Sequence, residues 1–401
     1  MSTLLSNLNG NFKQVYGGRL PNLIPADSKL QRMVGFSKED KLGAQFNYPV
    51  VVTQENGLTY AGPDEDGYTL NPAIGMQTKN ATLKGNQMVL RSLLGVKAAK
   101  ASQGSKAAFV KATKLLVMNM MDSISKRLEA SLLYGNAALA TVSAVSGAVI
   151  TVKDYAPGLF VGAEGAKLDV YNGSTKRGTN SIKSVDIATN KITLNAAITG
   201  VAANDAIRFA DTTGKEMDGL AALLSKTGSQ TLHGITVSDF SAWQPNHATA
   251  FGEVTFKKLI QALEAPINKG LSGDVTVICS PKVQLKLIAD ADDKRRFDSS
   301  YSMDKVQEGA MGVRFKGPNG TLDITSHLFC KTGDIFVIRP GDFKRIGAAD
   351  VGFLGQSDPE GDDKFQLESG TMGYALKIYT DQALLCKKPS CQLYIQGATT
   401  S

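Results

Sequence analysis

Residues 105–136, SKAAFVKATKLLVMNMMDSISKRLEASLLYGN, decide how the rest of the chain is read. Phe109, Ala112, Leu116, Met120, Ile124 and Leu128 recur every three or four residues, the spacing of one apolar stripe on an α-helix. Ser105 is a capping residue type at the start, and Gly135-Asn136 is a stop. A helix of that span is about 45 Å long at 1.5 Å per residue, well beyond the usual three turns. Lys106, Lys111 and Lys114 fall near its N-terminus, where the macrodipole disfavours cations. Something other than helix stability is expected to keep them there.

Ahead of the helix the period changes. FNYPVVVTQ (46–54) and QMVLRSLLG (87–95) read as the outgoing and returning strands of a long hairpin, separated by the acidic, Gly/Pro-rich tip GPDEDGYTLNP (62–72). Such a ribbon has a poor core of its own and is marginal alone, so it is expected to be held by neighbouring material. Residues 1–40 show no sustained period and read as an extended arm with one short helix at 28–34.

Behind the helix, residues 138–210 alternate with period two in AVITVK, KLDVYN, SIKSVDI and KITLNAAI, between turn signals such as Ser146-Gly147 and Asn172-Gly173. This predicts a small barrel or sandwich. Its seven basic and five acidic residues nearly balance, as in a solvated decoration and unlike a nucleic-acid reader. Further on, DGLAALLSK, EVTFKKLIQALEAPINKG and PKVQLKLIADAD read as helices around the strand DVTVICS, in a mixed α+β unit. A hairpin about Gly317-Pro318-Asn319-Gly320 follows, then DIFVIRP, and GYALKIYTDQALLCKKPSCQLYIQG supplies two closing strands.

The 401 residues leave room for two or three compact units, and 42% hydrophobic with 20% charged residues is ordinary globular usage. The net +7 lies wholly in the first third: residues 1–137 hold 16 Lys/Arg against 9 Asp/Glu, and the remainder holds 28 of each. Between Asp66 and Asp122 no acid interrupts Lys79, Lys84, Arg91, Lys97, Lys100, Lys106, Lys111 and Lys114. These charges suit a solvated face, an acidic surface of another chain, or phosphates. Few aromatics lie among them, which disfavours a base-stacking groove.

Catalytic signatures fail. No two glycines are separated by one residue and no Gly-Lys-Ser/Thr occurs, so the nucleotide-binding loops are excluded. His233, His247 and His327 are scattered, and Cys279, Cys330, Cys386 and Cys391 are too few for a disulfide framework, so they read as reduced thiols, the last two on strands. Neither a metal, a cofactor nor an enzymatic reaction is expected. The acid turn 358–363 reads as solvated, with weak divalent-ion binding as its alternative. No secretory signal opens the sequence, so a cytoplasmic start is expected. The uncharged stretch 130–152 reads as a helix end running into a strand, not as a membrane span.

The order of these segments resembles the major capsid protein of tailed double-stranded DNA bacteriophages, the Hong Kong 97-type shell fold. NYPVVVTQENGLTYAG through KNATLKGNQMVLRS is similar to that family's extended loop, and residues 105–136 to its spine helix. DVTVICSPKVQLKLI resembles its axial domain, and YTDQALLCKKPSCQLYIQ its closing strands. The resemblance implies an arm at 1–40, an extended loop at 41–95, a spine helix at 104–137 and an inserted β domain at 138–212. It further implies a peripheral-domain continuation at 213–253, an axial domain at 254–365 and closing strands at 366–401.

The implied protein is a subunit of an icosahedral virion capsid, assembled in a host bacterial cytoplasm as hexamers and pentamers around packaged double-stranded DNA, with no membrane. Because no long charged helical leader precedes the arm, the resemblance implies a separate scaffolding protein; it also implies a portal as partner and leaves room for a decoration protein. Asp64, Glu65, Asp66, Lys79, Lys84 and Arg91 would meet neighbouring copies, and Lys106, Lys111 and Lys114 would face the lumen or its DNA. Two other readings stay open: an encapsulin-like nanocompartment shell and a monomeric basic DNA-binding protein.

Overall fold

The computed structural model describes residues 27–37, 45–95, 106–295, 313–317, 320–354, 366–367 and 373–400. The long helix runs Lys106–Tyr134, and its expected stripe meets the core at Met120, Ile124 and Leu128, all buried. Met120 and Ile124 pack on Leu376 and Ile378 of the strand Gly373–Cys386. Toward its end the helix is buried on all sides, from Leu128 through Tyr134. There the short helices Lys29–Met33 and Leu220–Leu224 pack against it and share one apolar cluster with it.

Gly135-Asn136 ends the helix as the sequence predicts. Gly135 N–H donates to Ser131 O at 2.7 Å, and Asn136 takes a left-handed φ of 58°. The Asn136 amide then donates to Glu216 O and Asp218 Oδ1, both at 2.7 Å, which pins the segment returning from residues 140–209. A Cβ at Gly135 would lie 2.0 Å from Met217 O, so only glycine fits this crossing.

The all-β insertion is a closed barrel. Its strands Ala140–Ser146, Val149–Lys153, Lys191–Leu194, Thr175–Asp186, Lys167–Asn172 and Ala206–Phe209 neighbour one another in that order around the wall. Val142, Ile150, Leu168, Val170, Ile182, Ile192 and Ile207 are buried as alternation requires. The first and last strands are themselves paired, Ala140 opposite Ile207.

The mixed unit is a six-stranded sheet ordered Asn246–Ala248, Leu393–Ile395, Ile335–Ile338, Val275–Cys279, Gly320–Ser326, Val313–Gly317. Its central strands Ile335–Ile338 and Val275–Cys279 are apolar but for Thr276, because both faces are covered. Phe336 and Ile338 face the cluster of the long helix and barrel, whereas Ile335 and Val337 face a second cluster built with Leu259, Val283 and Leu287 of the helices Phe256–Ala262 and Pro281–Arg295. A separate sheet is centred on Gly373–Cys386, with Phe343–Phe353 along one edge and Asn86–Gly95 along the other.

The structure corrects several expectations. The partner of Phe46–Val51 is Thr78–Leu83, from Phe46 opposite Leu83 to Val51 opposite Thr78. The segment 87–95, expected as the returning strand, belongs instead to Asn86–Gly95 in the central sheet, because its alternate residues bury against the long helix. The helix expected across 253–270 is two, Phe256–Ala262 and Glu264–Asn268, since Pro266 cannot donate to the carbonyl four residues back. Phe343–Phe353 is a strand that sequence pattern did not flag: a Cβ at Gly347 would lie 1.8 Å from Asp381 O, and the pairing is broken by bulges on either side of Ala349. All four cysteines are free and buried, but Cys391 sits in the turn Pro389–Cys391, not on a strand. Ser105, Lys97, Lys100, residues 1–26, the turn residues 318–319 and the acid turn 358–363 lie outside the described residues.

Gly135→Ala is expected to lower folding stability by at least about 2 kcal/mol, since two backbones cannot separate there without breaking the Asn136 cap. A urea unfolding curve with an unchanged midpoint would contradict this packing.

Candidate assembly surface

Between the paired strands Phe46–Val51 and Thr78–Leu83, residues 52–77 run out and back with few bonds between the two limbs. Val52 N–H donates to Gln77 O at 2.9 Å, Asn56 N–H to Ile74 O at 3.0 Å, and Asn71 N–H to Thr59 Oγ1 at 2.8 Å. Leu58, Tyr60, Tyr68, Leu70, Ile74 and Met76 are each more than half exposed, Tyr60 at 85%. All six stand at even positions. Val52 with Gln77 continues the even-against-odd register of the paired strands, whereas Asn56 with Ile74 and Thr59 with Asn71 set even against even and odd against odd, so the register changes along the limb and exposure, not one strand face, groups these six side chains. Six large exposed apolar side chains on one short segment mark a candidate interaction surface.

The tip holds Asp64, Glu65 and Asp66, all exposed. Glu65 closes the turn, its N–H donating to Gly62 O at 3.2 Å and its Oε2 accepting from Gly62 N–H at 3.0 Å. Among the described residues none of the three acids makes an ion pair.

The root of this limb is anchored. Ala81 and Leu83 are buried, and Leu83 joins Ile346 and Leu385 of the central sheet with Phe46 and Tyr48 alongside. Thr82 N–H donates to His233 O at 2.8 Å, and the part-buried His233 imidazole accepts from Cys386 N–H through Nε2 at 3.2 Å. One residue thus ties limb, turn and sheet. Burial lowers the His233 pKa to about 4, with the Lys226 charge adding to the shift and Asp218 opposing it. The ring is therefore neutral near pH 7, as its acceptor role requires.

A strap formed by residues 27–37 is fixed nearby at two points. At one end, Glu129 of the long helix is fully buried and accepts from Leu30 N–H at 2.6 Å, Gln31 N–H at 3.0 Å and His327 Nε2 at 2.8 Å. His327 Nδ1 accepts from Phe329 N–H at 3.1 Å, which assigns the ring proton to Nε2. At the other end, Arg345 donates through Nε to Val34 O at 2.8 Å and through Nη1 to Gln382 Oε1 at 3.0 Å and Asp350 Oδ1 at 3.1 Å. None of His233, Glu129, His327 or Arg345 stood out in the sequence as a positioning group. The signal for Glu129 is a lone carboxylate inside an otherwise apolar helix end, RLEASLLY.

The residues expected to meet neighbouring copies are not brought together. Lys79 lies on Thr78–Leu83 opposite Val50, with its ammonium 5.8 Å from the Phe240 ring centroid. Lys84 is exposed just past that strand. Arg91 stands opposite Lys377 within the central sheet, so Lys79 and Arg91, both expected to meet a neighbouring copy, lie on two different sheets. Lys106, Lys111 and Lys114 are carried by the first part of the long helix. Among the described residues no three His, Cys, Asp or Glu side chains converge to hold a metal ion, and no helix is long and apolar enough to cross a membrane.

No family model and no curated protein sequence matches the chain. Its fold matches that of a chain in the capsid asymmetric unit of cyanophage A-1(L), with a TM-score of 0.59 at 10% identity over 98% of this chain and 99% of that one. Weaker likenesses reach the capsid of a native GTA particle, TM-score 0.48 at 8% identity over all of both chains, and the SrpI encapsulin of Synechococcus elongatus, TM-score 0.46 at 6% identity over 98% and 95%. These two carry no weight here. The chain has the shell fold that its segment order resembles, with mixed α and β structure.

Two outcomes are expected. Glu129→Ala leaves two buried donors and one part-buried donor without their acceptor and should cost about 2–5 kcal/mol, with limited proteolysis entering near residues 27–37 first. Protonating His233 removes its acceptor, so its contribution is complete above pH 6.5 and lost as pH falls toward 4, at most about 3 kcal/mol. Urea midpoints measured from pH 7 to 4.5 should therefore fall more steeply for the natural chain than for His233→Gln; parallel slopes would remove His233 as the cause.

Proposed function

We propose that this chain is a shell subunit of a viral capsid, closing with many copies of itself around packaged double-stranded DNA. The observation that carries the reading is the set of exposed apolar side chains between residues 58 and 76, which extends from an anchored root and is left uncovered among the described residues. A second copy supplies that cover, and closed symmetric assembly supplies it to every copy at once. The match in fold to a cyanophage capsid chain supports the same reading.

In this proposal residues 46–83 are the extended loop, the long helix is the spine and the six-stranded sheet is the axial domain. The tip acids Asp64, Glu65 and Asp66 meet basic groups of a neighbour, Lys79 and Lys84 being the exposed candidates at the limb root. Lys106, Lys111 and Lys114 face the lumen, where phosphates attract them without sequence preference. Scaffolding, portal and decoration proteins, hexamers and pentamers, and assembly in a bacterial cytoplasm belong to the same proposal. The work is geometric: no bond is made or broken, and the long overlap between copies holds the shell.

Replacing Leu58, Tyr60 and Leu70 together with serine should leave the far-ultraviolet circular dichroism and unfolding midpoint of the isolated chain within about 0.5 kcal/mol of the original, because exposed side chains contribute little to it. The same variant should yield no closed particles in negative-stain micrographs. Normal shells from it would overturn the role of those side chains. Particles that enclose protein and no nucleic acid would move the reading to a nanocompartment.

A further inference from the structure

On the long helix, next to the residues that anchor the strap, Arg127 is left without an acceptor. Its guanidinium carbon stands 3.2 Å from the ring centroid of Phe209, the last residue of the barrel. Nη1 is buried with no hydrogen-bond partner, and among the described residues the side chain makes no hydrogen bond or ion pair. The nearby Glu216 carboxylate is engaged by the Ser131 hydroxyl. A guanidinium carries five donors in a fixed plane and stays charged near neutral pH, so burying it beside an aromatic face leaves a demand for oxygen acceptors.

Lys126 adds a second cation. Its ammonium donates to Val161 O at 2.7 Å and lies 5.7 Å from the Phe329 ring, which leaves two of its three donors without an acceptor. Burial, reinforced by the Arg127 charge and opposed by Glu164, lowers its pKa to about 8.

Both side chains line one cleft of about 150 Å³ between the long helix and the barrel, with Asn119 and Ser123 on the helix side and Gly162 and Phe209 opposite. Asp122 also borders it and has a partner of its own. On the far side of Arg127 a larger cleft of about 270 Å³ is lined by Asp211 and Glu216, whose carboxylates oppose an anion. The smaller cleft has room for a few water molecules' volume and faces two cations.

We propose that this smaller cleft binds a single phosphate-sized oxyanion, held between Arg127 and Lys126 with Asn119 and Ser123 as neutral donors. Charge-assisted bonds of this kind are the strong ones, and guanidinium geometry suits phosphate oxygens. The oxyanion is either free inorganic phosphate or a phosphodiester of a nucleic acid crossing the cleft. The site is independent of the shell reading, because nothing in it depends on a second copy.

Thermal unfolding of the full, unassembled chain in inorganic phosphate against chloride at equal ionic strength tests the proposal. The natural chain should gain a few degrees in Tm as phosphate rises, following ligand linkage. Arg127→Met, which keeps an adaptable side chain against Phe209, should unfold no earlier than the natural chain in chloride and should not respond to phosphate. Lys126→Met should weaken phosphate binding at least about tenfold.

A natural chain that responds no more to phosphate than to chloride, or an Arg127→Met chain that responds equally, overturns the site. A short DNA duplex separates the two sources. Duplex binding weakened by both Arg127→Met and saturating phosphate assigns the oxyanion to a nucleic-acid backbone; duplex binding insensitive to both assigns it to free phosphate.

Discussion

One buried carboxylate holds the arrangement together. Glu129 lies in the fully enclosed end of the long helix and takes hydrogen bonds from two backbone amides of the strap and from His327. A charge in such a place is tolerable only when its oxygens are satisfied, and here three donors from two separate segments satisfy them. The strap then meets Arg345, and Arg345 binds Gln382 on the same sheet that receives the limb root. The direction in which the limb leaves the body is thus set by contacts deep inside it.

Periodicity announced much of this. The stripe Met120, Ile124 and Leu128 and the stop Gly135-Asn136 gave the long helix nearly to the residue, and alternation gave a compact β unit where the barrel lies. Local pattern could not say which strand pairs with which. Both 78–83 and 87–95 have strand-like partners available, and only the burial of alternate residues of Asn86–Gly95 against the helix decides between them. Phe343–Phe353 escaped because its glycine and its bulges answer to Asp381, a residue far along the chain. The tip acids were legible as a cluster, and they stand exposed together. The anchoring groups were not, since an isolated Glu or His in a sequence has no visible partner until the fold supplies one.

The limb shows why exposure matters more than charge in reading this surface. Exposed ion pairs contribute little to stability, and the basic residues first grouped together prove to lie on different sheets. Six large exposed apolar side chains on one limb are a different matter, because each removed from water contributes on the order of 1.5–3 kcal/mol when fully buried. Under the proposed assembly that gain comes from contacts between copies, offset in part by the ordering of the ribbon.

The pairing of Ala140 with Ile207 brings the barrel's entrance and exit side by side. A module whose two ends are neighbours behaves like a cassette: a lineage can acquire or discard it in one genetic event without re-threading the host. What must change with it is small, chiefly the apolar seat beneath Leu159 and Phe160, whose side chains are buried in the core that the barrel shares with the body. Exchanging such a cassette would change the surface that the barrel presents while the pairing of the body beneath stays the same.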